Sequence, residues 1–214
     1  GGLDAIAVFE VPDRPVPPSM TGFRITASGL KGGHSGMDIA LGRGNANKVM
    51  NRLLHEMVER HGLLIGSIEG GSLRNAIPRE SFAHVAVSPG HAEGFIASFK
   101  ALAADISSEL SDTEPELRIE AEPAGLPETV MEEGACLRLL MAVHACPNGV
   151  MRMSNAMEGL VESSNNLAIV RSANGMATIE CLLRSSVDSA MEDLSATIGS
   201  LFRLAGASFR LEGG

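Results

Sequence analysis

Leu160-Val-Glu-Ser-Ser-Asn-Asn-Leu-Ala-Ile-Val-Arg171, followed by Ala173-Asn-Gly175 and Ala177-Thr-Ile-Glu-Cys-Leu-Leu-Arg184, is the stretch that decides the fold class. Two apolar runs flank an Asn-Gly pair, which tolerates the positive φ values of a tight hairpin turn. Helical spacing lies on either side. Glu132 to Cys146 precedes the hairpin and stops at Pro147-Asn-Gly149. Val187 to Ala205 follows it, started by Asp188 or Ser189 and ended near Gly206, and Ala207 to Leu211 reads as a last strand. Residues 125–214 therefore have the order αββαβ.

The same order stands earlier in the chain. Phe23-Arg-Ile-Thr-Ala-Ser-Gly29 alternates as a half-buried strand. Asn45 to Arg60 carries Val49, Leu53 and Met57 on one stripe, and His61-Gly62 ends that helix. Leu63 to Gly70 and Ser81 to Val87 read as strands, Ala92 to Leu110 as a helix, and Leu117 to Glu122 as a strand. Residues 21–124 are thus βαββαβ, and 125–214 is the same unit lacking a clear first strand. Residues 1–20 read as an extended interdomain segment, because Pro12, Pro15, Pro17 and Pro18 exclude a helix there. The fold class predicted is α+β: an antiparallel sheet with helices on one face, built from two ferredoxin-like halves. Joining the halves edge to edge would bury a strand edge that otherwise invites aggregation.

Composition narrows the function. The 214 residues are 44% hydrophobic and 20% charged, a globular profile, and with no Trp or Tyr the core must be aliphatic, filled in part by 11 Met. A net charge of −9 with no Lys/Arg block argues against nucleic acid and anionic membrane as partners. The apolar runs are too short to span a bilayer and no signal peptide is visible. Cys136, Cys146 and Cys181 form neither a disulfide framework nor a CxxC clip, and read as buried free thiols of a cytoplasmic protein.

Few residues can carry chemistry. His34 sits in Gly32-Gly-His-Ser-Gly36, where glycines clear space for a ligand and an imidazole can donate to an oxyanion; a helix-capping or solvent-facing histidine fits the same spacing. Ser35 is no nucleophile elbow, because Met37 stands where Gly-x-Ser-x-Gly needs its last Gly. Arg74-Asn75 lies in a connection between strands, with substrate contact or turn chemistry as alternatives. Arg184 ends a strand, where it can clamp a carboxylate or cap the following region. Glu132-Glu133 looks like a catalytic pair, but a helix dipole accounts for acids in a first turn. The remaining histidines have no carboxylate at ligand spacing, so no metal-binding residues are assigned.

Taken together, Leu30-Lys-Gly-Gly-His-Ser-Gly36, Leu41-Gly-Arg-Gly-Asn-Ala-Asn-Lys48, Gly71-Ser-Leu-Arg-Asn-Ala-Ile-Pro-Arg-Glu80, Pro147-Asn-Gly-Val150 and Cys181-Leu-Leu-Arg-Ser185 resemble the lid, or dimerisation-type domain, of bacterial aminoacyl-histidine dipeptidases. These enzymes belong to the co-catalytic zinc peptidases, with carnosinases and aminoacylases. The resemblance implies that His34 stabilises a tetrahedral intermediate, that Asn75 contacts the substrate backbone and that Arg184 binds its terminal carboxylate. Arg74 and Asn166, the latter in Ser163-Ser-Asn-Asn166, are further substrate-binding candidates, the halves dividing the contacts between them. The resemblance also implies two zinc ions and a catalytic domain as partner, with a homodimer possible and a dipeptide such as carnosine as substrate. The H-x-D and late-His zinc motifs are absent here, so no cofactor and no hydrolysis are expected of this chain alone. The alternative is a stand-alone ferredoxin-like dimerisation or ligand-sensing module.

Overall fold

Period-two alternation builds one large sheet, beside two small two-stranded ones. The computed structural model describes residues 1–213; Gly214, the last residue of the expected second half, lies outside the described residues. In chain order the elements are β1 (Gly2–Glu10), β2 (Asp13–Pro15), β3 (Thr21–Ser28), β4 (Gly33–His34), α1 (Ala46–His61), β5 (Leu64–Gly70), β6 (Ala76–Ile77), β7 (Ser81–Val87), α2 (Ala92–Glu109) and β8 (Arg118–Ala124). They continue with β9 (Thr129–Met131), α3 (Glu133–Ala145), β10 (Gly149–Met153), β11 (Val161–Ala173), β12 (Met176–Ser185), α4 (Asp188–Leu204) and β13 (Ser208–Glu212). Eight strands run antiparallel in the order β13-β1-β12-β11-β5-β7-β3-β8, and β10 hairpins onto β11.

The expected duplication is present, with one correction. β3, α1, β5, β7, α2 and β8 make the first βαββαβ module. The second is β1, α3, β11, β12, α4 and β13, so its missing first strand is supplied by residues 2–10. That segment is extended, as expected, but it is not a free connection. It is a central strand, pairing β12 from Gly2↔Arg184 to Glu10↔Met176 and β13 from Asp4↔Glu212 to Val8↔Ser208. The first module is inserted into the second. Ala5, Ala7 and Phe9 face the helices and are buried, while Ile6 and Val8 between them are apolar too, which blurs the alternation in the sequence.

A single core joins the modules under the four helices. Each module carries its own phenylalanine cluster: Phe23, Phe95 and Phe99 in one, Phe9, Phe202 and Phe209 in the other. A strand Phe meets a helix Phe in both, so the repeat extends to residue type. Leu53, Leu54 and Met57 of α1 and Leu139 and Leu140 of α3 are fully buried. Burying each such side chain contributes about 1.5–3 kcal/mol.

The joint between modules is short in backbone terms, with only Val170↔Gly70 and Arg171↔Glu69 in register. Helix α1 completes it with side chains. Asn45 Nδ2 donates to the Leu167 carbonyl at 3.0 Å, Asn47 Nδ2 to Ala168 at 3.3 Å and Asn51 Nδ2 to Leu140 at 2.9 Å. Lys48 Nζ donates to the carbonyls of Val143, His144 and Cys146 at 2.8–2.9 Å. Those carbonyls are the negative end of α3, where a cation is favoured. Gly71, at φ 75°, lets the chain pass against the Ala168 carbonyl, a place where a Cβ would collide.

Candidate functional site

Two loops of the first module are fastened to each other and then to the open face of the second module. β4 pairs β6 through Gly33↔Ile77 and His34↔Ala76, and Ser35 N–H donates to the Asn75 carbonyl at 2.9 Å. This zips the glycine-rich His34 loop to the Arg74-Asn75 connection. Asn166 holds the pair down: its Nδ2 donates to the Ala76 carbonyl at 2.8 Å and the Arg74 carbonyl at 3.3 Å. Arg74 Nη1 adds a second tether, donating to both oxygens of Asp4 at 2.8 Å.

The sheet register explains why these groups meet. Asp4↔Leu182↔Asn166 is one cross-strand row and Gly2↔Arg184↔Ser164 is the next, both on the face away from the helices. The loops cross the first row and reach the second. There a methyl added to Gly36 would lie 3.2 Å from the His34 imidazole and 3.3 Å from the Arg184 guanidinium carbon. Gly36 is thus the shared floor of a histidine from one module and an arginine from the other.

The His34 ring is oriented by backbone alone. Its Nδ1 accepts from Gly36 N–H at 3.0 Å and Met37 N–H at 3.2 Å, so in the neutral imidazole the proton resides on Nε2. The loop is braced by Asp38, whose Oδ2 accepts His34 N–H at 2.8 Å, and by Arg43, whose Nη1 donates to the Gly32 carbonyl at 2.6 Å. His34 is half-buried and presents Nε2–H as a fixed donor.

Arg184 is half-buried, and its Nε is shielded from solvent with no hydrogen-bond partner among the described residues. None of the ion pairs among those residues involves it. A buried, unpartnered guanidinium donor is costly unless a ligand completes it. Asn166 Oδ1 and Ser35 Oγ, also buried, are likewise without partners. Asn75 is exposed beside them, whereas the Arg74 guanidinium is already engaged by Asp4. Asp4 and Asp38 escaped the sequence reading. Asp38 follows His34 by four residues, a signal for loop bracing that could have been read, but Asp4 is 70 residues from Arg74.

Glu132 caps α3, its carboxylate accepting from Gly134 N–H at 3.0 Å and Ala135 N–H at 2.7 Å, which agrees with the dipole account of the Glu132-Glu133 pair. Among the described residues no three His, Cys, Asp or Glu side chains converge as a metal site. The zinc ions implied by the sequence resemblance find no ligand set here. Among the described residues no helix is long and apolar enough to cross a membrane. A cleft of about 540 Å³ between α2 and β8 contains none of the candidate residues; unpartnered polar groups, not volume, mark the candidate site.

Comparison with known proteins agrees with this architecture. Residues 25–115 match the family described as the peptidase dimerisation domain. Over 213 residues the chain is 33% identical to the cytosol non-specific dipeptidase of Escherichia coli (strain K12), spanning 100% of this chain and 44% of that protein. A crystal structure of aminoacylhistidine dipeptidase from Vibrio alginolyticus superposes with a TM-score of 0.96 at 36% identity, covering 100% of this chain and 44% of that one. The chain therefore spans less than half the length of the dipeptidases it matches.

Proposed function

We propose that this chain, which carries a peptidase dimerisation domain of the dipeptidase kind, is the lid of a zinc-dependent dipeptidase that hydrolyses Xaa-His dipeptides such as carnosine. One observation carries the reading. An Arg184 with no carboxylate partner and a His34 whose Nε2–H has no acceptor, both among the described residues, flank the same glycine. That pairing of a carboxylate clamp with an oxyanion donor suits a peptide ending in a free carboxylate.

In this reading Arg184 binds the terminal carboxylate, which is how a dipeptide is told from a longer chain. Asn75 contacts the substrate backbone. His34 Nε2–H donates to the oxygen of the scissile carbonyl as negative charge builds there, a contribution on the order of 3 kcal/mol. Asn166 and Arg74 hold the loops that carry His34 and Asn75. The metal ions, which would supply the attacking water, would be held by a catalytic partner domain. The exposed edge strands β8 and β13 leave room for a homodimer, and we place the protein in the cytoplasm, as the name of the E. coli relative has it.

The test is a split in kinetics, made in the full-length protein. Arg184→Met should raise KM for a dipeptide by about 10–100-fold while leaving KM for its C-terminal amide unchanged. His34→Ala should lower kcat by about 100-fold with little change in KM. Equal loss on dipeptide and amide from Arg184→Met would reject the carboxylate assignment.

A further inference from the structure

The three cysteines are far apart in the sequence, yet the fold places two of them in contact. Cys146 is the residue that ends α3, and Cys181 lies on the helix-facing side of β12. Their sulfurs are 3.9 Å apart, and each residue is 1% exposed. Both are free. Cys136 lies ten residues earlier on α3, about 15 Å along the helix axis, so it serves as an internal control.

We propose that Cys146 and Cys181 are a modification site: an oxidisable dithiol that closes to an intramolecular disulfide with hydrogen peroxide, or a small organic peroxide, as oxidant. The surroundings assign the order of events. The two sulfurs share a hydrogen bond in which either thiol can donate, and Asn165 Nδ2 donates toward the Cys146 sulfur at 3.8 Å. The Lys48 ammonium, held on the Cys146 carbonyl at 2.9 Å, adds positive charge. These groups pull the Cys146 thiol below its usual range, the Cys181 hydrogen bond contributing most, whereas that same bond and burial push Cys181 up. Cys136, buried near Glu132 and Glu133, is pushed up to about 12. The thiolate is the reactive form, so Cys146 reacts first.

The Cys146 thiolate attacks one peroxide oxygen, the O–O bond breaks, and hydroxide leaves a sulfenic acid behind. The Cys181 sulfur then attacks the sulfenic sulfur. Its proton leaves with the departing hydroxide as water. In sum, two thiols and one hydrogen peroxide give one disulfide and two waters. Closure requires the sulfurs to move from 3.9 Å to about 2.05 Å, a shift that side-chain rotation at the end of a helix can supply. The bond would enclose β10, β11 and the Asn166 clamp in one loop and hold that clamp more stiffly.

The test is peptide mapping of the full-length protein, treated with low-equivalent hydrogen peroxide without denaturant and then alkylated. The expected product is a Cys146–Cys181 cross-linked peptide, two hydrogens lighter than the sum of its parts and reversed by dithiothreitol, with Cys136 still alkylated. The oxidised protein should melt several degrees higher. Cys181→Ser should stop at a sulfenic acid on Cys146 that a dimedone probe traps, and Cys146→Ser should leave Cys181 reduced. Oxidation of Cys136 instead, cross-links between chains, or no oxidation of either thiol would overturn the proposal. The wild-type map decides even if a serine variant fails to fold.

Discussion

Gly36 concentrates the site into one residue. Its missing side chain lets the His34 imidazole and the Arg184 guanidinium approach the same point, and its N–H fixes the His34 tautomer. An alanine there would place its methyl a few tenths of an ångström too close to both groups. Gly36→Ala should therefore keep the melting temperature close to wild type but lower kcat/KM of the full-length protein by at least about 10-fold, since displaced catalytic groups lose rate steeply. Circular dichroism melts and steady-state kinetics check the two halves of that statement. His34, Asn75 and Arg184 could be singled out in the sequence because strand ends and glycine loops expose polar groups. The partners that orient them could not. Asp4 meets Arg74 and Asn166 meets Ala76 only after two modules have packed, and no local spacing encodes either contact.

At the scale of elements, the helices and most strands were readable because caps and periodicity are local. Gly62, at φ 62°, ends α1 as the sequence indicates, and Gly175 turns the β11–β12 hairpin at φ 74°. β1 was not readable, since it is apolar on both faces and lies more than a hundred residues from the rest of its module. β10 was hidden for the opposite reason, being largely exposed with Met151 and Met153 facing solvent. The N-terminus of α1 has two duties. Asn45 Oδ1 accepts from Asn47 and Lys48 N–H, while Nδ2 crosses the joint to Leu167 and to Asn148 Oδ1 at 3.1 Å. Asn45→Ala should cost about 2–3 kcal/mol, the sum of a lost cap and a buried bond, seen as a lower midpoint in urea unfolding. Asn45→Asp keeps the cap acceptor, loses the donors and should fall between. Glu132 sets an acid limit on α3. The N–H groups of Ala135, then of Gly134, hold its carboxyl below the ordinary carboxylate range. Its contribution is complete above the unfolded value of about 4.3 and lost as pH falls through the folded one. Glu132→Gln should flatten the stability–pH curve below about pH 4.3, as read by thermal melts across acid buffers.

The whole molecule is one module threaded through another. Chain lacking residues 1–11 keeps every strand of the first module but removes the partner of both β12 and β13. Hydrogen exchange on that truncation should show protection retained in β3, β5 and β7 and lost across β12, β13 and α4. Equal loss in both modules would mean that the joint, with its two register pairs and α1 side chains, couples them into one unit. The site straddles that joint, so the truncation should also abolish the contribution of Arg184 while leaving the His34 loop zipped to residues 75–77.

The threading also sets a schedule for biogenesis. Within this chain β1 is made before β12 and β13 and must wait for them. At about 5–20 residues per second, the interval between them is roughly 10–30 s. During that time the first module can complete its own sheet, since all its strands are contiguous in the chain. The nascent Ala5-Ile6-Ala7-Val8-Phe9 segment then has two open hydrogen-bonding edges and no charge, the composition that favours pairing with a stranger. Synthesis rate and chaperone occupancy over that interval, more than the stability of the finished fold, should govern how much soluble protein a cell obtains.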